Sequence, residues 1–228
     1  MEPGWLIDES KPLSPADEDE ARLGSSRYDQ GGGKPPLAVL IHDVTVHDVK
    51  RWFGPGNVRL DALVVTVPGA SADDSQYAPN TFTFPGVRDG DRLPIEEGLL
   101  LYQGRPRYFL DLAITASADT KGAPTLGDLL AEQADAIGDA TGDIAALSLA
   151  APQVAIVSAA ASAAARIAST ALRLLQMATG NTIGLYRTTW FENRDDYGIG
   201  RHPRDGLTYL KSDLEFWYEI FEDRPRTE

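Results

Sequence analysis

Three histidines, His42, His47 and His202, and a scatter of aspartate pairs are the residues whose types and spacing bear on chemistry. His42-Asp43 and His47-Asp48 form two His-Asp pairs, five residues apart on one candidate strand. Metal ligands on one strand share a face only at an even offset, unless a bulge intervenes. The odd offset therefore argues against a zinc site using both. One imidazole is expected as a hydrogen-bonded edge residue and the other as solvated. Asp196, His202 and Ser212 supply the residue types of a triad, but no nucleophile elbow accompanies them. Gly198-Ile199-Gly200-Arg201-His202-Pro203 combines glycines with a cation, as an anion cradle does, without the strand–loop–helix context of a nucleotide site. It reads as a structured turn. No catalytic signature emerges, and a non-catalytic role is expected.

A second constellation is electrostatic. Asp128, Glu132, Asp135, Asp139 and Asp143 recur three or four residues apart, with no lysine or arginine between them. On a helix they form one acidic face, which repels itself but steers a basic partner. The apolar residues of the same stretch, Leu126, Leu130, Gln133, Ile137, Ala140, Ile144 and Leu147, follow steps of four and three and form a heptad seam. Thr125 and Asp128 predict a capping box at its start. Pro152 suits the first turn of a second helix running to Gly180-Asn181, with Val157, Ala161, Ala164, Ala168, Ala171, Leu175 and Ala178 as its seam. Glycines 127, 138 and 142 weaken the first arm. Alanine on facing seams predicts two closely packed antiparallel helices over residues 123–180.

The elements around this hairpin read as strands. Leu37 to Val46, Leu60 to Val67, Thr81 to Phe84, Gly98 to Tyr102 and Tyr108 to Thr115 precede it; Ile183 to Phe191, Leu207 to Leu210 and Leu214 to Phe221 follow. Glycine and proline turns separate them, as in an antiparallel sandwich. The expected fold class is α+β: an antiparallel β-sandwich, residues 37–228, with an inserted long antiparallel helical hairpin. Residues 1–36 hold eight acids and four bases among prolines and glycines, and are expected to be a disordered acidic tail. Within it Trp5-Leu6-Ile7 is an apolar cluster; a docking peptide is one reading, and folding back on its own domain is the leading expectation.

The net charge of −13 disfavours nucleic acid, because carboxylates repel phosphates. No cysteine is present, so disulfides, zinc ribbons and cysteine nucleophiles are excluded. No secretory signal is visible, and a cytoplasmic location is expected. The alanine- and arginine-rich usage suggests a GC-rich bacterial genome.

Leu60-Asp61-Ala62-Leu63-Val64-Val65 and Asp195-Asp196-Tyr197-Gly198-Ile199-Gly200 resemble, respectively, a strand and an acidic loop of the calcium- and phospholipid-binding sandwich domains of the protein kinase C and synaptotagmin type. The resemblance covers only these two stretches. It lacks the Asp-x-Asp of the acidic loop and has no counterpart for the hairpin. It implies a sandwich fold and a calcium site built from Asp48, Asp61, Asp195 and Asp196, since calcium takes six to eight oxygens; otherwise no cofactor is expected.

Residues 144–165 carry no charge, but Pro152 interrupts them and flanking Asp143 and Arg166 each cost about 2.5–3.5 kcal/mol at a bilayer centre. Insertion is therefore expected only conditionally, as in pore formers. The leading expectation is an adaptor-like interaction module whose acidic residues Asp128, Glu132, Asp135, Asp139 and Asp143 meet a protein partner. A calcium-dependent lipid-binding sandwich and a conditional membrane-inserting effector are the alternatives.

Overall fold

The computed structural model describes residues 35–67, 76–149 and 154–223. The segment expected as a disordered tail, with its Trp5-Leu6-Ile7 cluster, lies outside the described residues up to position 34, and so does Pro152. Ten strands fold in the order β1 (Leu37–Val46), β2 (Gly56–Val67), β3 (Tyr77–Val87), β4 (Asp91–Arg92), β5 (Leu99–Gly104), β6 (Arg107–Ala118), β7 (Thr182–Phe191), β8 (Gly200–His202), β9 (Tyr209–Lys211) and β10 (Leu214–Glu222). Between β6 and β7 lie α1 (Leu126–Glu132), α2 (Ala134–Leu149) and α3 (Val154–Ala178); the single turn α4 (Glu192–Asp195) follows β7. The class is mixed α+β.

Two antiparallel sheets result. In the first, the order is β4-β1-β10-β8, with β5 also pairing β1 and β9 pairing β10; in the second it is β3-β2-β6-β7. Strand parity explains why they face each other. On β1, Val39 and Ile41 point inward; after a bulge between His42 and Thr45, Val44 and Val46 do. Asp43 takes φ +49° at that bulge, which keeps the apolar positions inward on both sides of it. On β10 the inward set is Leu214, Phe216, Tyr218 and Ile220, and the second sheet answers with Val58, Leu60, Ala62, Val64, Leu110, Leu112 and Ile114.

The second sheet is buried on both faces. The alternate residues of β2 and β6, among them Leu63, Val65, Val67, Phe109 and Ala113, join a separate apolar cluster with the helices. Leu126, Leu130, Ile137, Ala140 and Ile144 reach this cluster from the first arm. From α3 come Val157, Ala160, Ala163, Ala164, Ile167, Ala168, Ala171 and Leu175. That stripe is wider than a heptad seam, and Ala161 and Ala178 sit at its partly exposed margin. The reason is that α3 packs against both α2 and the sheet, which needs a broad apolar face.

The first arm departs from the sequence expectation at Gln133. Its φ of −110° ends α1, and α2 restarts at Ala134. An amide on a buried seam needs a partner or loses its hydration. The break instead leaves Gln133 exposed, while Leu130 and Ile137 stay buried. Leu147, the last expected seam residue, has its side chain outside the described residues.

Ala168, on the sheet-facing stripe of α3, is fully buried. Ala168→Leu is expected to destabilise the fold by about 1–3 kcal/mol through overpacking, read as a lower urea midpoint at an unchanged m-value. An unaltered midpoint would show that the helical layer is not close-packed.

Candidate functional site

The strongest buried electrostatics lie on the helix-facing side of the second sheet. Arg59 and Asp61, two apart on β2, share a face and are both almost wholly buried. Arg59 donates Nε to Asp61 Oδ2 at 2.6 Å and Nη2 to Oδ1 at 2.8 Å. Thr81 Oγ1 donates to Asp61 Oδ1 at 2.6 Å. The free guanidinium nitrogen, Nη1, donates to the Pro124 carbonyl at 2.6 Å, and the Leu126 amide donates to Thr81 Oγ1 at 3.0 Å. The pair thereby grips the N-terminus of α1. A similar fork joins Arg187 to Asp111, Nε to Oδ1 at 3.0 Å and Nη2 to Oδ2 at 2.8 Å, with Thr189 Oγ1 donating at 2.6 Å.

These charges are paired and covered. A cavity of about 10 Å³ lies between Asp61, Thr115, Leu126, Ala168 and Ala171, room for a single water. Ligand sites run to roughly 300–1,000 Å³, so this gap takes no substrate.

The four aspartates of the calcium expectation are not brought together. Asp61 is committed to Arg59 and Thr81 in mid-sheet. Asp48 accepts the Lys50 amide at 2.6 Å and the Lys50 ammonium at 3.2 Å; these two bonds, the backbone one foremost, hold its carboxyl below the usual range. Asp195 and Asp196 follow β7, whose last residue, Phe191, pairs with Phe109. The register places them at the opposite pole from the β1–β2 loop that carries Asp48. Asp195 Oδ2 accepts the Phe191 amide at 3.1 Å, and Asp196 takes a left-handed conformation at φ +47°. Among the described residues, no group of three or more His, Asp and Glu side chains is placed to hold a metal ion.

The histidines likewise have separate tasks. The bulge brings His42 and His47 toward one side of β1, because each meets an outward residue of β10. His42 stacks on Trp217 at 4.1 Å, and His47 Nε2 lies 2.7 Å from Glu215 Oε2. His202 is buried between Trp190 and Tyr218, ring centroids 4.5 and 4.9 Å away, with Nε2 donating to the Gly198 carbonyl. Burial lowers its pKa, outweighing the opposing effect of that carbonyl. Its contacts are rings and backbone, not Asp196 or Ser212. Gly198 is required here, since a Cβ would sit 2.5 Å from the Trp190 ring. The turn expected at 198–203 thus contains a short strand, β8.

The acidic face of the first arm is split by the break at Gln133. Asp128 closes the expected capping box: its amide donates to Thr125 Oγ1 at 3.2 Å, and its Oδ2 accepts the Thr125 amide at 3.1 Å. The Thr125 hydroxyl also donates to that carboxylate, which lowers the Asp128 pKa. Glu132, Asp135 and Asp139 are exposed and have no ion-pair or hydrogen-bond partner among the described residues. The side chain of Asp143 lies outside the described residues.

One surface feature had no sequence forecast. The β1–β2 loop is pinned at Val49, buried, whose amide donates to Asp89 Oδ1 at 2.8 Å, and at Lys50, whose ammonium bridges Asp48 and Asp213. Beyond these anchors Trp52 and Phe53 protrude, 93% and 89% exposed, beside Arg51. Adjacent aromatics in a Gly/Pro turn are the signal that could have marked them.

No protein-family model matches the chain, and no curated protein matches it. Among the described residues no helix is long and apolar enough to cross a membrane.

Two outcomes follow from this geometry. Asp61→Asn leaves Arg59 buried without its counter-charge and is expected to cost about 3–5 kcal/mol; adding Arg59→Met should recover much of that loss in a double-mutant cycle. Histidines with lowered folded pKa favour unfolding as pH falls, because the unfolded chain takes the proton first. Burial lowers both His42 and His202. The urea midpoint should therefore drop as pH falls from about 6.5, before carboxylates titrate. His202→Phe should flatten that drop, and an unchanged slope would contradict the assignment.

Proposed function

We propose that the chain is a non-catalytic protein-interaction module. In this reading residues 123–180 form an antiparallel hairpin inserted in a β-sandwich, and its outward carboxylates receive a basic partner. The observation that carries it is the exposure of Glu132, Asp135 and Asp139, unpaired among the described residues, on an arm whose other side is buried against the second sheet. A rigid backing matters, because charges held on a packed helix need little ordering when they bind. Electrostatic attraction then raises the on-rate more than it slows dissociation. Asp128 contributes to the surface field but is chiefly a helix cap. The expected signature is salt dependence.

The test is a triple substitution, Glu132→Lys, Asp135→Lys and Asp139→Lys. Capture of a basic partner from native lysate should be lost while the melting temperature changes little, since these side chains touch solvent. Capture that survives the reversal would remove the acidic face from the account.

A second reading rests on Trp52 and Phe53. A protruding aromatic pair flanked by Arg51 suits a lipid headgroup region, where tryptophan is enriched at the apolar–polar boundary. It needs no calcium. Sedimentation with anionic vesicles should fall several-fold in a Trp52→Ala, Phe53→Ala variant; equal sedimentation of both forms would end this reading.

A further inference from the structure

The two sheets are covered unequally. The outer face of the second lies under the helices, whereas no described element packs on the outer face of the first. An antiparallel face turned to water ordinarily carries polar residues. This one mixes Glu215, Glu219 and Arg201 with Leu40 on β1, Leu100 on β5, Trp217 and Phe221 on β10 and Leu210 on β9; Leu100 is 46% and Leu210 61% exposed. The pairing Leu40↔Leu100 and Leu210↔Glu215 places these residues together on the outward side.

At the centre of the face is a built stack. The His42 ring lies between Trp217 and the backbone of Gly98, where a Cβ would come within 2.7 Å of His42 Cε1. The Trp217 indole N–H donates to Asp43 Oδ2 at 2.6 Å, and the Arg201 guanidinium covers the indole at 4.5 Å. His42 Nε2 is buried and has no hydrogen-bond partner among the described residues.

The chain itself holds a fitting occupant. Trp5-Leu6-Ile7 is an apolar cluster in a polar segment. Where the segment joins the fold is decisive. β1 lies in the interior of the first sheet, between β5 and β10, and the residue before it, Pro36, accepts the Asp223 amide at 2.7 Å. The chain therefore enters at the edge of this same face. Ala38 to His42 spans roughly 14 Å along the strand, while a linker the length of residues 8–36 has an end-to-end span of roughly 30 Å. Tethering at that range supplies an effective concentration on the order of millimolar. A modest apolar contact then suffices.

We propose that Trp5-Leu6-Ile7 docks in cis on the outer face of the first sheet, over Leu40, Leu100 and the His42–Trp217 stack. It covers the apolar residues of this face as the helices cover those of the second sheet. The occupant is this chain's own N-terminal segment, not a second copy and not another protein.

The chain has no cysteine, so Ser10→Cys gives a single site for a nitroxide label in the full-length protein. The Trp217 indole resonance and the methyls of Leu40 and Leu100 should lose most of their intensity, while those of Met177, exposed on α3, keep theirs. Trp5→Ala with Ile7→Ala should restore the lost intensity, and so should Leu100→Asp, which changes an exposed position and leaves the core intact. Undiminished Trp217, Leu40 and Leu100 signals would overturn the proposal. So would broadening that appears only when labelled chains are mixed with separate isotope-enriched chains, which would assign the face to a second copy.

Discussion

The Arg59–Asp61 pair on the second sheet is the interaction on which the rest of the structure turns. Two charges on the outer face of a sheet would ordinarily be solvated. Here they are buried, because α1 and α3 close over them. Desolvation makes such a pair costly unless every remaining donor and acceptor is met. Asp61 meets Arg59 and Thr81, and the guanidinium meets the Pro124 carbonyl. The last bond ties the pair to the start of the helical segment. It therefore fixes where that segment sits, as well as neutralising the sheet. Arg187 and Asp111 repeat the fork one strand away.

Helices fixed in this way are part of the core. Leu63, Val65 and Val67 share one buried cluster with the apolar stripes of the helices. The alanines of α3 permit the close approach that the small space requires. One side of the first arm is consequently committed to packing, and only its outward carboxylates are left to meet anything else. The same reasoning separates the two ends of the paired sheets. Asp48 and Asp213 restrain a loop that lifts Trp52 and Phe53 into solvent, while Asp195 ties α4 back to β7.

Much of the architecture was legible because it rests on period. Alternation in Leu214–Glu222 and steps of three and four around Leu126 and Ile144 report which side of an element is buried, and both hold. The apolar run of β2 from Leu60 to Val67, interrupted only by Asp61 and Thr66, carried a further message: a strand without alternation has two covered faces. That run, read alone, suggests only a strand. Asp61 within it looked like a ligand because its partner, two residues earlier, counts as an ordinary surface arginine until the helices are placed over it. The bulge at Asp43 was beyond periodicity as well. It depends on a left-handed residue, and it changes the side to which His47 turns. Gln133 fitted the heptad by spacing and broke it by polarity. Trp52 and Phe53 were hidden for the opposite reason, since apolar residues are assumed to be inside.

The central claim is that the helical segment and the second sheet form one cooperative unit locked by the Arg59–Asp61 pair. Native-state hydrogen exchange measures this directly. The amides of Leu60–Val65 on β2 and of Ile167–Leu175 on α3 should exchange with the same opening free energy and the same denaturant dependence. Helical amides that open at far lower free energy, while those of β2 remain protected, would contradict the account.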